Sequence, residues 1–164
     1  VGKGSDGRAL TQKEQERFKP TQSVFRLSKP IFGSNRNITA DNWFTSIDLV
    51  RLLAKKGLTY VETIKKNKRE IPPEFLPNKS RKVASSLYGF TPDITLVSYV
   101  PKKQKSVLLV SSMHQSKCTD PITNKPEIIM YYNSTKGGVD ALDEKCSVYC
   151  TRAKNKKMAH GRFF

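Results

Sequence analysis

Residues 36–46 read RNITADNWFTS, and the organisation of the rest of the chain follows from them. Arg36 to Ala40 alternates, with Ile38 and Ala40 on one side and Asn37 and Thr39 on the other, the period of a short β-strand. Asp41 comes next, at the strand's carboxyl end, where open α/β sheets collect ligands and active sites. Thr45-Ser46-Ile47-Asp48 resembles a capping box opening a helix. Ile47, Val50 and Ala54 recur at helical spacing with Leu53 beside them, and Gly57 is a natural stop. A carboxylate at such a corner has two uses. It can hydrogen-bond the turn or cap the helix, or it can face solvent and hold a metal. At this level both readings stay open.

Working outward, Leu58–Ile64 (LTYVETI) is the next strand. A strand, a helix and a strand in succession predict a right-handed crossover between parallel neighbours. A basic run follows: Lys65, Lys66, Lys68 and Arg69, then Lys79, Arg81 and Lys82. From Arg51 to Lys82 there are ten basic and three acidic residues. Such a run is ordinarily a solvated loop; beside a carboxylate corner it is also a candidate phosphate contact. Upstream, Val1–Gln22 reads as a surface segment with a short helix near Gln12–Phe18. Ser23–Leu27 reads as one helical turn ended by Pro30, and Phe32–Asn35 as a turn.

Residues 83–132 change character. Val83–Phe90, Ile94–Val100, Ser106–Ser112 and Glu127–Tyr132 are β-rich runs between turn-formers, and pairs of this kind predict antiparallel hairpins inserted into or appended to the α/β layer. Asn133–Asp143 (NSTKGGVDALD) is the second informative stretch. Gly137-Gly138 is expected to break the preceding strand and to leave room for close backbone approach, with a helix starting near Val139. Asp140 and Asp143 share a face at i and i+3, with Glu144 flanking. Acidic residues in a first helical turn are favoured by the helix dipole alone, or Asp140 faces the same metal as Asp41. Cys146 and Cys150 at i and i+4, with His160 nearby, are read as buried thiols rather than half a zinc site.

The whole chain has 164 residues, enough for one domain with a core. Its formal charge of +16 favours a polyanionic partner, nucleic acid foremost, and charge alone does not separate this from a generically basic surface or a ribosome-like protein. Hydrophobic residues make up 37%, below the usual globular share, so loop or tail is expected. Three cysteines without framework spacing argue against a disulfide scaffold and suit a reducing compartment. No apolar run approaches the ~20 residues of a membrane span, and no signal peptide is visible. A start at Val1 suggests a piece of a longer chain.

RNITADNWFTS, NKREIPPEF, TLVSY and MYYNSTKGGVDALDEKCSV resemble, in order and spacing, the transposase domain of piggyBac-type DNA transposons, from about Pro30 to Tyr149. The resemblance implies an α/β fold, a partial RNase H-like core of strand–helix–strand plus late helix with a β-rich antiparallel insertion. The segments are then a surface segment (1–30), the partial core (31–65), the insertion (66–133), the late helix (134–152) and a divergent basic tail (153–164). It also implies a catalytic triad of aspartates. Asp41 would be the second and Asp140 the third, both holding metal, with Asp143 an accessory acidic residue. The first lies on a strand upstream of anything present. Two Mg²⁺ would serve phosphoryl transfer, DNA would be the partner, contacted by Lys65, Lys66, Lys68, Arg69 and Lys136, and a homo-oligomer and a nuclear location would be in keeping. The expectation is a catalytic-domain fragment inactive as this chain. The alternatives are a non-enzymatic nucleic-acid-binding remnant and an interaction module built on the hairpins.

Overall fold

The computed structural model describes Gln12 and residues 19–148. Except for Gln12, which is helical, the predicted helix near Gln12–Phe18 lies outside the described residues, as does the tail beyond Val148. The described residues form three longer helices and five strands: α1 (Lys19–Ser28), β1 (Asn37–Ile38), α2 (Ile47–Ala54), β2 (Thr59–Thr63), β3 (Ser86–Phe90), β4 (Thr95–Lys102), β5 (Lys105–Ser111) and α3 (Glu127–Val148).

The strand–helix–strand expectation holds. β1 and β2 are parallel, with Asn37 opposite Thr59 and Ile38 opposite Tyr60. The crossover is closed by two glycines in the left-handed region, Gly33 (φ 75°) and Gly57 (φ 66°). Gly33 N–H donates to Lys56 O at 2.8 Å and Asn35 N–H to Gly57 O at 2.9 Å. A Cβ on Gly57 would sit 3.1 Å from Gly33 Cα, so the conformation and the close approach both require glycine there.

The capping box is half present. Ser46 is the N-cap, and its Oγ accepts from Leu49 N–H at 3.1 Å. The third helical residue is Leu49, so the returning carboxylate falls one residue short, at Asp48. α1 is longer than the single turn expected, because Thr21, Val24, Phe25 and Ser28 are all buried; it still ends before Pro30.

The sheet order is β1-β2-β5-β4-β3. The hairpin strands therefore belong to the same sheet as the core strands: β5 pairs antiparallel with β2, Val61 opposite Ser111 and Thr63 opposite Leu109. Both faces are covered. Tyr60, Ile64, Leu108 and Val110 pack with Val24, Phe25, Leu49, Val50 and Leu53 of α1 and α2. Val61, Val97, Tyr99 and Leu109 pack with Ile128 and Ile129 of α3. A sheet covered on both faces needs apolar residues in both phases, which is why β5 reads VLLV without alternation.

Two expectations fail here. Glu127–Tyr132 is not a strand, and Gly137-Gly138 breaks nothing: both lie inside α3, which is continuous from Glu127 to Val148. The β-branched and aromatic run IIMYY mimics a strand locally. Burial decides otherwise, because Ile128, Ile129, Tyr131 and Tyr132 pack against one face of the sheet. Pro126 accepts the first helical bond, from Met130 N–H. Arg81 also departs from its place in the basic run. It turns inward, its Nη1 donating to Ser98 Oγ at 2.6 Å and its Nη2 to Ser98 O at 2.8 Å, and burial holds its pKa below the usual range.

Candidate active site and nucleic-acid interface

Asp41 sits just past the carboxyl end of β1, exposed. Its Oδ1 accepts from Trp43 N–H at 2.8 Å and its carbonyl from Phe44 N–H at 2.9 Å. The side chain thus stabilises its own turn, while Ser46 caps the helix. One carboxylate oxygen is used in this way, and the carboxylate lines a cavity of about 210 Å³. The cavity is walled by Thr39, Glu62 and Thr63 from the sheet side and by Tyr132 and Lys136 from α3. Thr39 Oγ1 donates to Thr135 Oγ1 at 3.3 Å, which seats α3 against the end of β1. Lys136 lies over the Tyr132 ring, its Nζ 5.7 Å from the centroid.

Asp140 and Asp143 are on α3, one and nearly two turns beyond Lys136, and their side chains lie outside the described residues. Tyr132, Lys136 and Asp140 follow one another at i, i+4 and i+8, the spacing of one helix face. Cys146 is likewise on α3 without a described side chain, and Cys150 and His160 lie outside the described residues, so the thiol reading is untouched.

Sequence reasoning missed Glu62. It is 2% exposed. Its Oε1 accepts from Thr63 N–H at 2.7 Å and from Thr63 Oγ1 at 2.9 Å, and Tyr132 and Ala40 face it across the cavity and favour its charged form. Burial outweighs these bonds and pushes its pKa above the usual carboxylate range. The signal was available: Glu62 shares a strand phase with Tyr60 and Ile64, both buried. A carboxylate in an apolar phase is an expensive choice that wants a reason. Next to it, burial also raises the Tyr60 phenol, whose oxygen pairs with Thr45 Oγ1 at 3.0 Å.

A second cavity, about 380 Å³, opens beside the Trp43-Phe44 pair that follows Asp41. Trp43, Phe44, Lys65, Asn67 and Lys68 line it with the start of α1. Trp43 is 54% exposed and braced edge-on by Phe44, the ring centroids 5.0 Å apart. Lys65, Lys66 and Arg69 are exposed and Lys68 half-buried. The basic residues singled out in sequence therefore divide. Lys136 shares the Asp41 cavity, Lys65 and Lys68 share the tryptophan cavity, and Lys66 and Arg69 flank them on the same loop.

Hard oxygen donors at a strand end suit a hard divalent cation, and Asp41 with the neighbouring hydroxyls fits that description. Among the described residues no three acidic, histidine or cysteine side chains converge. No helix among them is long and apolar enough to cross a membrane.

A mixed sheet covered by helices, with a carboxylate past a strand end facing a late helix, defines an α/β protein with a candidate ligand site, and comparison with known proteins makes it specific. A family model described as transposase IS4 matches residues 2–164; the chain belongs to that transposase family. A solved structure, a piggyBac transposase synaptic complex with hairpin DNA determined by cryo-EM, is 50% identical with a TM-score of 0.73 over 79% of this chain. The chain spans 27% of the length of that protein. The likeness makes the chain a piggyBac-type transposase catalytic-domain fragment with an RNase H-like fold. Transposases of this class are generally metal-dependent.

Proposed function

We propose that this chain supplies two carboxylates of a magnesium-dependent site for DNA strand cleavage and transfer, Asp41 as the second and Asp140 as the third of the family's aspartates. The observation that carries the reading is the shared cavity, in which the Asp41 corner and α3 are brought face to face by Tyr132, Lys136 and the Thr39–Thr135 bond. Asp41 and Asp140 would hold the metal, with Asp143 accessory. Magnesium bound there would activate a water or 3′-hydroxyl and stabilise the leaving oxygen of a phosphodiester. The chain's own residues do the rest. The Trp43 N–H fixes the rotation of the Asp41 carboxylate. Lys136, at the cavity wall, offers a cation to the phosphate. Lys65, Lys66, Lys68 and Arg69 carry the strand past the Trp43 face, on which a base can stack. DNA as partner, a nuclear location and self-association belong to this proposal. So does the reading of a DNA-binding remnant without catalysis, which the Trp43 cavity favours because it needs neither aspartate.

Iron-directed backbone scission tests the metal assignment. Fe²⁺ replaces Mg²⁺, and ascorbate with peroxide cuts the chain close to the bound ion, mapped by mass spectrometry. Cuts near both residue 41 and residue 140, lost in Asp41→Ala and in Asp140→Ala, are expected. Cuts near only one of the two would sink the shared site.

A further inference from the structure

A carboxyl group removed from water is costly unless donors converge on it. Thr63 supplies two of them to Glu62 from its own strand, and Ala40 of the Asp41 corner and Tyr132 of α3 face Glu62 across the cavity that all three line, close enough to favour its charged form. Ala40 directly precedes Asp41, and Tyr132 is two turns before Asp140 on the same helix. The neighbouring tie between corner and helix, Thr39 to Thr135, is long at 3.3 Å and joins two neutral hydroxyls. Bonds to a carboxylate are the stronger kind.

We propose that Glu62 is a positioning residue of the metal site: its buried carboxyl clamps the Ala40–Asp41 corner to α3 through Tyr132 and so sets where Asp41 presents its oxygens. Glu62 acts through Asp41 and does not itself hold the ion, because it is buried and its Oε1 is already taken by Thr63. An apolar side chain at position 62 would fill the strand equally well but would leave Ala40 and Tyr132 without this partner. The inference rests on the reading of Asp41 as a metal ligand.

Trp43 is the one tryptophan of the chain, two residues from Asp41 and tied to its carboxylate through the backbone amide, so its fluorescence reports on ion binding. Mn²⁺, which is paramagnetic, should quench it saturably in the full 164-residue chain. Asp41→Ala is the check on the underlying reading. Quenching unchanged in that variant would remove Asp41 as ligand and overturn both proposals together. With Asp41 confirmed, Glu62→Gln should raise the Mn²⁺ concentration for half-quenching about tenfold. The substitution leaves one acceptor oxygen where the carboxylate has two. Tyr132→Phe, which removes only the clamped hydroxyl, should raise it several-fold. The double variant should be no worse than Glu62→Gln alone, because both changes break one linkage. Tyr132→Phe also carries the test if Glu62→Gln folds poorly. Wild-type quenching in Tyr132→Phe beside a loss in Glu62→Gln would make Glu62 a ligand rather than a clamp and overturn the inference. Wild-type quenching in both would overturn it outright.

Discussion

Glu62 gives the molecule a pH dependence opposite in sign to that of most acidic side chains. Burial raises its pKa in the folded state, so the folded chain holds that proton more tightly than the unfolded chain. The resulting stability is fully present below the ordinary glutamate range and is lost as pH climbs from there through the raised folded value. Glu62→Gln is neutral at every pH and removes this contribution. Urea midpoints of wild type and Glu62→Gln, measured between pH 4 and pH 8, should diverge at the acid end and approach or cross as pH rises. Parallel curves would show that Glu62 does not titrate in this way. Asp41 was legible in the sequence because its position depends on local pattern alone: an alternating strand, a carboxylate, then a helix cap. Glu62 was not. Its burial depends on β2 lying between β1 and β5 and on α3 closing over the end of β1, none of which is encoded within LTYVETI. Whether Asp140 meets Asp41 depends on the same long-range packing.

Each short element depends on one or two residues, and this sets the size of the expected effects. Ser46 satisfies the Leu49 N–H at the start of α2, and Ser46→Ala should cost about 1 kcal/mol by chemical denaturation. An unchanged midpoint would mean that water or another side chain takes over the cap. α3 offers the reverse case. Gly137 and Gly138 lie inside a continuous helix, and a Cβ added to either would meet nothing within 4 Å. Gly137→Ala and Gly138→Ala should each stabilise the fold by ~0.5–1 kcal/mol. A loss of DNA affinity in the same variants would show that the glycines are kept for close backbone approach. No gain in stability would mean that this part of α3 is not helical in solution. β2, β4, β5 and α2 could be read from sequence, the strands as β-rich runs between turn-formers and α2 from its helical spacing. α3 could not, because β-branched and aromatic residues followed by two glycines carry strand and breaker signals at once. It is the burial of Ile128 and Ile129 against the sheet that overrides them.

At the scale of the whole molecule, a charge of +16 on 164 residues makes salt the controlling variable for DNA binding. Phosphate-dominated binding falls by roughly 0.9 log units per decade of salt for each phosphate neutralised on duplex DNA. Removing Lys65, Lys66, Lys68 and Arg69 together should lower both the affinity and that slope, and an unchanged slope would place the contact surface elsewhere. Cleavage is a separate matter. Two-metal phosphoryl transfer needs a carboxylate that bridges the two ions in addition to one ligand for each. The cavity holds the Asp41 carboxylate, and the proposal adds Asp140. Glu62 is close by, but it is buried and Thr63 already engages its Oε1 twice. One ion is therefore the most this constellation should hold. The strand that leads into Asp41 is also only two residues long and, among the described residues, forms one edge of the sheet, a weak support for a site whose geometry has to be kept within a fraction of an ångström. The 164 residues assayed as they stand, with nicked and hairpin-forming transposon-end DNA and Mg²⁺ or Mn²⁺, are expected to give no cleavage above an Asp140→Ala control. Cleavage by the parent and none by the control would reverse this expectation. It would mean that a further acidic residue of α3, Asp143 or Glu144, completes the metal site.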